Sequence, residues 1–592
     1  MQQVMKPVAR AEWPVGQEWL YEVKYDGFRC VLDWDGNSVS LTSKYGKDLS
    51  TKFPEITEDV RESFAAKPPL TLDGELVILN TPLQANFSLL QQRGRLKNAG
   101  TIAEKANMRP ATYMAFDLVK HNGNDDTQVP FSKRKKQLKD LIGTGGLRLR
   151  YVPATRDINA LWQDVFVHRG EGIIAKRKTG TYQKGKQHHS WFKVKNWRTI
   201  KGVLTGYNTS NGYFTVQVKD GDHWREIGKC KHGLDAESRN TLEQFFKAHG
   251  KAHKGQLELP PAIEAGIHTL DLYEAELREP EFVRVGPLTE QWTADQLEHD
   301  LALYPESVDL SNADKLFWPD ALLSKGDMLI FLRKIAPYML PFLKDRALTL
   351  IRFPDGVTGT HFYQKHLPDY APDFFKRSGS GDDVLIQCRT LQELIWLGNH
   401  GTLEYHMPFQ MIGKPMPSEI VFDLDPPDRE QMKLAVKAAH LIKQLLDGLH
   451  LASFIKTSGG KGLQIHIPLP DSALSYEDTA LFTEAIAKTV EQAQPDLFTT
   501  ERMKNKRKGR LYIDYVQHGK DKTIIAPYSP RSSAEGTVAT PLFWHEVTED
   551  LRPEAFTIEN VVSRVQTMGC PFADYFTVGK EQKLEALLER IK

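Results

Sequence analysis

Read for alternation, the chain from Pro7 to about Trp197 switches between strand-like runs of period two and helical stretches. Val23, Tyr25 and the apolar run Cys30-Val31-Leu32 predict extended chain on both sides of Asp26-Gly27, a strong turn signal. In Trp191-Phe192-Lys193-Val194-Lys195 the period of two puts both lysines on one face and Phe192 and Val194 on the other. From about 198 to 295 the pattern shortens. Val203–Tyr207 and Tyr213–Val218, joined through a stretch ending in Asn211-Gly212, predict a hairpin within a small all-β barrel. Between 296 and 312 the chain turns polar and acidic, with Pro305, and reads as a linker.

The second half has its own strand pattern. Ile420–Asp425 is an apolar strand whose Asp423 and Asp425 share a face, and Pro426-Pro427 end it. A helix is predicted from Asp428, with Gln431 as a capping partner, Leu434, Leu441, Ile442, Leu445 and Leu446 as its buried stripe, and Gly448 at its end. Leu511-Tyr512-Ile513-Asp514 places a third acid in an apolar strand. Ser458-Gly459-Gly460-Lys461-Gly462 is a glycine-rich turn between Phe454-Ile455 and Leu463–His466. By pattern alone it is equally a phosphate cradle or a plain hairpin.

Composition narrows the class. At 592 residues the chain exceeds one hydrophobic core, and about 150 residues per domain gives roughly three or four units. Forty per cent apolar and 26% charged residues are ordinary for globular chains. No apolar run is long enough to span a bilayer, and Met1–Pro7 lacks the apolar core of a signal peptide, so a cytoplasmic location is expected. Cys30, Cys230, Cys388 and Cys570 lie far apart with no Cys-x-x-Cys pair, which writes neither a disulfide scaffold nor a zinc ribbon. A net charge of +1 argues against a generic polybasic binder, so nucleic-acid contact must come from local patches. The basic runs Lys133–Lys136 and Lys504–Arg510 are candidates for following a DNA backbone.

The candidate chemistry centres on Glu22-Val23-Lys24-Tyr25-Asp26-Gly27-Phe28-Arg29, with Lys24 as nucleophile. Alone, Lys-x-Asp-Gly is also what an exposed turn lysine looks like. Two ammonium groups on one face, Lys193 and Lys195, repel unless an anion such as phosphate sits between them, although a solvated strand edge reads the same way. By pattern alone Asp423, Asp425 and Asp514 are equally a two-metal site for in-line phosphoryl transfer, since buried like charges need a cation, or plain strand-end acids.

Taken in order, the Lys24 motif, Leu72-Asp73-Gly74-Glu75-Leu76, Ala115-Phe116-Asp117-Leu118, Glu171-Gly172-Ile173-Ile174-Ala175-Lys176 and Trp191–Lys195 resemble motifs I, III, IIIa, IV and V of the covalent nucleotidyltransferases. From about residue 311 on, Arg352–Gly356, Phe362–Lys365, Leu403–His406, the Asp423/Asp425 strand, the Ser458 loop, Asp514 and Pro527–Arg531 resemble the primase-type polymerase domain of bacterial ligase D. Ligase first and polymerase second is similar to the order in Bacillus-like bacteria. The resemblance implies a multidomain α+β chain: an adenylation nucleotidyltransferase domain, ATP-grasp-like, at 1–197, an OB-fold at 198–295, a linker at 296–312 and a primase-like α/β polymerase domain at 313–592.

It also implies roles. Lys24 would carry AMP from ATP, Glu22 and Phe116 would border adenine, Glu75 would meet the ribose or a metal, and Glu171 would support the metal. Arg29, Lys44, Lys193 and Lys195 would handle phosphates, with Arg29, Lys193, Lys195 and a bound metal lowering the Lys24 pKa. Asp423, Asp425 and Asp514 would hold Mg²⁺ or Mn²⁺, with Ser458, Lys461, His466, Arg531 and His406 on the incoming nucleoside triphosphate. Expected partners are broken or nicked DNA ends and Ku, with no membrane, a monomeric state and a nucleoid-associated location.

Three positions depart from the family. Gln464 stands where a histidine is usual, leaving His466 on the same strand face as a substitute, Gln517 replaces an arginine, and Lys44 replaces an arginine in Thr42-Ser43-Lys44-Tyr45-Gly46. These leave two rivals: a ligase with a degraded, end-binding polymerase-like module, and an RNA ligase or guanylyltransferase.

Overall fold

Alternation decides which way the first sheet faces. In the strand Trp19–Lys24, Trp19, Tyr21 and Val23 join Ile173, Ala175, Phe192 and Val194 in a buried cluster, so Glu22 and Lys24 take the opposite face. The computed structural model describes residues 4–64, 69–143, 146–273, 275–290, 292–377 and 384–591. This sheet runs in the order Lys6–Ala9, Gln187–Lys195, Gly172–Arg177, Trp19–Lys24. A second sheet has the order Leu149–Tyr151, Thr112–His121, Leu70–Val77, Phe28–Trp34, Val39–Ser43. Cys30, Leu32, Leu72, Leu76 and Tyr113 pack beneath it against Ile56 and Val60 of the helix Pro54–Ser63 and Leu138 and Ile142 of the helix Phe131–Ile142.

Lys24 ends a strand of the first sheet and Phe28 begins a strand of the second. Tyr25-Asp26-Gly27 is therefore a crossing between sheets, where a tight turn had been expected. A Cβ on Gly27 would lie 2.3 Å from Leu76 O and 2.8 Å from Val77 Cγ1, so only glycine lets the crossing pass so close.

A six-stranded antiparallel sheet follows where the OB-fold is expected, built on Arg198–Asn208, Tyr213–Asp220, His223–Cys230 and Gln256–Thr269. The expected hairpin is present: Leu204 pairs with Val216 and Asn208 with Tyr213. The stretch 296–312, read as linker, begins inside a helix, Ala294–Ala302, entered through a Thr293–Gln296 capping box. Its Leu297 and Leu301 are buried in the core of the preceding sheet, because their spacing of four puts both on one face.

The chain divides into two compact units, Met1–Leu303 and Tyr304–Lys592. The second contains a six-stranded sheet in the order Phe498–Thr499, Leu511–Asp514, Glu419–Asp425, Leu463–Pro468, Phe454–Thr457, Pro541–Leu542. Ile420, Phe422 and Leu424 face a core shared with Leu434, Ile442 and Leu446 of the helix Met432–Gly448 and Phe482 and Val490 of the helix Tyr476–Ala493. Glu419, Val421, Asp423 and Asp425 thereby take the other face. The helix begins at Met432, four residues after the expected entry, and Asp428 accepts from Gln431 N and Nε2 in the turn that precedes it. All four cysteines are free, and Cys30, Cys230 and Cys388 are buried. Among the described residues no helix is long and apolar enough to cross a membrane.

Candidate active sites

The polar face of the first sheet is built in rows. Lys24 lies opposite Gly172, which lies opposite Lys195, and Glu22 lies opposite Ile174, which lies opposite Lys193. The Lys24 ammonium pairs with Glu171, the residue that precedes the central strand. Burial pulls the Lys24 pKa down, yet Glu171, Glu75 and Asp26 outweigh it and leave the amine above its ordinary value. The expectation that neighbouring cations hold it down is thus corrected: the groups that dominate around this amine are carboxylates. Those carboxylates feel the opposite pull. Burial raises Glu171 to about 7 against the pull of Lys24, and raises Glu75 to about 8 against Lys24 and Arg29.

The expected phosphate cations are mostly engaged elsewhere. Arg29 donates to both oxygens of Asp73 at 2.8 and 2.6 Å and to Met5 O at 2.9 Å, with its guanidinium 4.8 Å from the Phe116 ring. Lys195 pairs with Glu279 at 2.8 Å and Glu281 at 3.4 Å, so the anion beside it is a carboxylate. Lys193 has no ion pair among the described residues, and burial together with Lys195 and Lys24 lowers its pKa. Lys44 is exposed in the turn after Val39–Ser43.

Phe116 owes its position to a bulge. Asp73 pairs with Asp117 and Gly74 with Ala115, so Phe116 is the extra residue. Its carbonyl accepts from Lys135 and Lys176, each at 3.3 Å, and the Lys176 ammonium sits 4.4 Å from its ring. The same lysines clasp buried Glu22 at 2.5 and 2.7 Å. The sequence places neither lysine on Glu22: Lys135 reads there as part of the basic run Lys133–Lys136, and Lys176 only as the close of the Glu171 motif. The run Lys133–Lys136 is corrected in part: Lys133 and Lys136 are exposed, but Lys135 is buried on Glu22, and Arg134 is buried with both Asp117 oxygens at 2.8 and 2.9 Å. Neither Lys135 nor Arg134 can follow a DNA backbone.

In the second unit Asp423 lies directly opposite Asp514. Burial, with Asp514 and Asp425 adding repulsion, raises Asp423 to about 6 against a hydrogen bond from Gln464 Nε2 at 3.2 Å. Asp514 accepts from Tyr512 OH at 3.1 Å and Gln517 N at 2.8 Å. Asp425 is flanked by Lys461 at 3.1 Å and Arg507 at 3.3 Å. Lys461 also donates to Pro426 O at 2.8 Å and Pro427 O at 3.1 Å.

The Ser458 loop closes on itself, Ser458 Oγ accepting from Gly460 N at 3.2 Å and Gly462 N at 3.1 Å. Gly459 has φ +70°, and a Cβ there would meet Arg531 Cγ at 2.6 Å. Arg531 lies 3.5 Å from Glu404, and His406 bonds the same carboxylate at 3.1 Å. Burial opposes the charge on Glu404, but His406 and Arg531 hold its pKa at about 2.

His466 is not brought to the aspartates. Its ring is fully buried and bonds Glu419 at 2.8 Å, where Tyr575 OH at 2.7 Å and Arg346 at 3.0 Å also converge. Gln464 occupies the place beside Asp423, so the proposed histidine substitute is corrected. Two further residues went unassigned: Arg507, within a basic run, and Lys456, a charge in the otherwise apolar strand Phe454–Thr457. Burial lowers Lys456 to about 7. Among the described residues no three His, Cys, Asp or Glu side chains form a ready-made metal cluster.

A lysine at a strand end among buried carboxylates in the first unit, and opposed strand aspartates in the second, agree with a nucleotidyltransferase ligase followed along the chain by a polymerase, and the family matches give that class. Residues 3–195 match the family described as ATP dependent DNA ligase domain, and residues 324–572 match LigD, primase-polymerase domain. The bifunctional non-homologous end joining protein LigD of Bacillus subtilis is 39% identical over 99% of this chain and 99% of its own. The multifunctional LigD of Pseudomonas aeruginosa is 25% identical over 98% of this chain and 73% of its own. A solved polymerase domain of Mycobacterium tuberculosis ligase D, in complex with DNA, is 30% identical over 45% of this chain and 97% of that one, with a TM-score of 0.42. The chain belongs to the LigD family of bifunctional end-joining proteins, and it is an ATP-dependent DNA ligase and a nucleotidyltransferase.

Proposed function

We propose that Lys24 is the nucleophile of the ligase half and that Asp423, Asp425 and Asp514 form the nucleotide-addition site. The observation that carries the first assignment is the Lys24–Glu171 pair at the crossing between two sheets. Burial alone favours the neutral amine, and Glu171 is the chief group opposing it. Whatever engages Glu171 therefore releases Lys24 toward its reactive form. The Lys24 nitrogen then bonds to the α-phosphorus of ATP in line as the bond to pyrophosphate breaks, leaving AMP as a phosphoramidate. A DNA 5′-phosphate takes the AMP from Lys24, and a 3′-hydroxyl displaces it to seal the strand. Lys193, free of ion pairs among the described residues, is placed to meet the phosphates, and Phe116 and Glu22 border the adenine.

Glu75 and Glu171 fit a divalent cation, since both carboxyls are pushed up by burial and Glu171 Oε2 has no hydrogen-bond partner among the described residues. The opposed Asp423 and Asp514, with Asp425, offer the all-oxygen donor set of Mg²⁺ or Mn²⁺, which when bound would neutralise triphosphate charge. Ser458, Lys461, Arg531 and His406 surround the approach for the incoming nucleotide. Domain limits of 1–197 and 313–592 go with this reading, with the barrel domain expected at 198–295 carried on through the helix Ala294–Ala302. So do a broken or nicked duplex as partner, Ku, a monomeric state and a cytoplasmic, nucleoid-associated location.

Two substitutions separate the halves. Lys24→Ala abolishes transfer of label from α-labelled ATP while primer extension persists, and Asp423→Ala abolishes extension while AMP labelling persists. Label from GTP and none from ATP would overturn the ligase assignment. Equal absence of extension in wild type and Asp423→Ala would make the second half an end-binding module.

A further inference from the structure

One row of side chains crosses four strands of the second unit. Lys456 lies opposite Gln464, Gln464 opposite Asp423, and Asp423 opposite Asp514. Partners on antiparallel strands project to the same face, so the row is a line of side-chain contacts. The Lys456 ammonium donates to Gln464 Oε1, and Gln464 Nε2 donates to Asp423 Oδ1 at 3.2 Å. Lys456 is fully buried, and Gln464 is 3% exposed.

We propose that Lys456 is a positioning residue for nucleotide addition, acting through Gln464 to aim an N–H donor at Asp423. This rests on the reading of the aspartates as the nucleotide-addition site. A carboxamide has a donor end and an acceptor end of nearly equal size, and either can face a neighbour. Facing Asp423 with its oxygen would set acceptor against acceptor. In its ammonium form Lys456 has donors only, and the donation seen to Gln464 Oε1 is the contact that form makes. The amide is thereby held with its nitrogen toward Asp423, engaging one of the two oxygens through which that carboxylate can hold a cation. The remaining bond to the Lys456 ammonium is weak, Thr457 O at 3.4 Å. Releasing Gln464 would leave a buried cation almost unpartnered, so the arrangement enforces itself.

The test uses the full chain and measures primer extension with Mn²⁺, kcat and KM for the nucleotide, and Mn²⁺ affinity from the electron paramagnetic resonance of the free ion. Lys456→Met is expected to lose about tenfold in kcat/KM and several-fold in Mn²⁺ affinity, while Lys456→Arg stays within about threefold of wild type. The double variant Lys456→Met/Gln464→Met is expected to be no worse than Gln464→Met, because the two residues act in one line. A packing role predicts the reverse order, since Met matches the lysine stem and Arg overfills it. Wild-type turnover and Mn²⁺ affinity in Lys456→Met, or full additivity in the double variant, would overturn the proposal. Should Lys456→Met fail to fold by thermal melting, Gln464→Met decides, and a wild-type rate there overturns it. Asp423→Ala runs alongside: loss of extension there with a wild-type Lys456→Met overturns the positioning role alone, whereas survival of extension overturns the site assignment with it.

Discussion

Around Lys24 four carboxylates are paired with cations, Glu75 being the one left without an ion pair among the described residues, whereas in the second unit the central aspartate faces another aspartate. Glu22 has Lys135 and Lys176, Asp73 has Arg29, Asp117 has Arg134 and Glu171 has Lys24 itself. Asp423 has Asp514 across the ladder, and its hydrogen-bond donor is a neutral amide. The first site carries its own positive charge, part of it on the resting Lys24 amine, which must shed its proton before it can attack. The second is short of positive charge at its centre, as a site that works on imported cations requires. Asp425 stands between the two conditions, with Lys461 and Arg507 beside it.

The largest effect that sharpens this contrast is at Asp423. Asp423→Asn is expected to reduce primer extension by about a thousandfold or more, yet to raise the melting temperature, because it removes a like charge buried against Asp514. A lower melting temperature would break the comparison. Glu22→Gln is expected to act in the opposite sense. It strands two buried ammonium groups, and denaturant unfolding should show a loss of about 3–5 kcal/mol.

Acid sensitivity gives a smaller effect. Burial opposes the charge on Glu419, but Arg346, His466 and Tyr575 hold its pKa at about 2. An acid depressed in the folded state stabilises above its ordinary pKa of about 4.5 and loses that contribution as pH falls through the folded value. Wild type should therefore lose stability between pH 4.5 and 2, and Glu419→Gln, already less stable at neutral pH, should lose less over that interval. Parallel curves would contradict the pairing. The smallest effect is expected at Lys44: Lys44→Arg restores a bidentate phosphate donor on an exposed turn, and should change KM for nicked DNA by about threefold, downward.

Positions were more legible than pairings. Alternation placed Asp423 and Asp425 on one face and Lys193 and Lys195 on another, because side-chain direction is set locally by the strand. Partners are set by strand order, which alternation does not encode. Lys24 meets a carboxylate 147 residues away, and Arg29 one that is 44 away. Hence carboxylates outweigh the expected cations around Lys24, and the anions beside Lys195 proved to be Glu279 and Glu281. His466 shows the same limit within one strand. It shares a face with Gln464, but two residues along a strand is roughly 6.6 Å, enough to carry the ring from Asp423 to Glu419. Phe116 was legible as an aromatic beside an acid, while the bulge that aims it depends on the register of a neighbouring strand.

The central claim is that the amine at the sheet crossing becomes covalently adenylated. Peptide mapping by mass spectrometry after incubation with ATP reads this directly, with the yield followed from pH 6 to 9. The account predicts AMP on the peptide bearing Lys24, in a yield that climbs with pH because Glu171, Glu75 and Asp26 keep the resting amine protonated at neutrality. An adduct on another side chain, or one that survives Lys24→Ala, would contradict it.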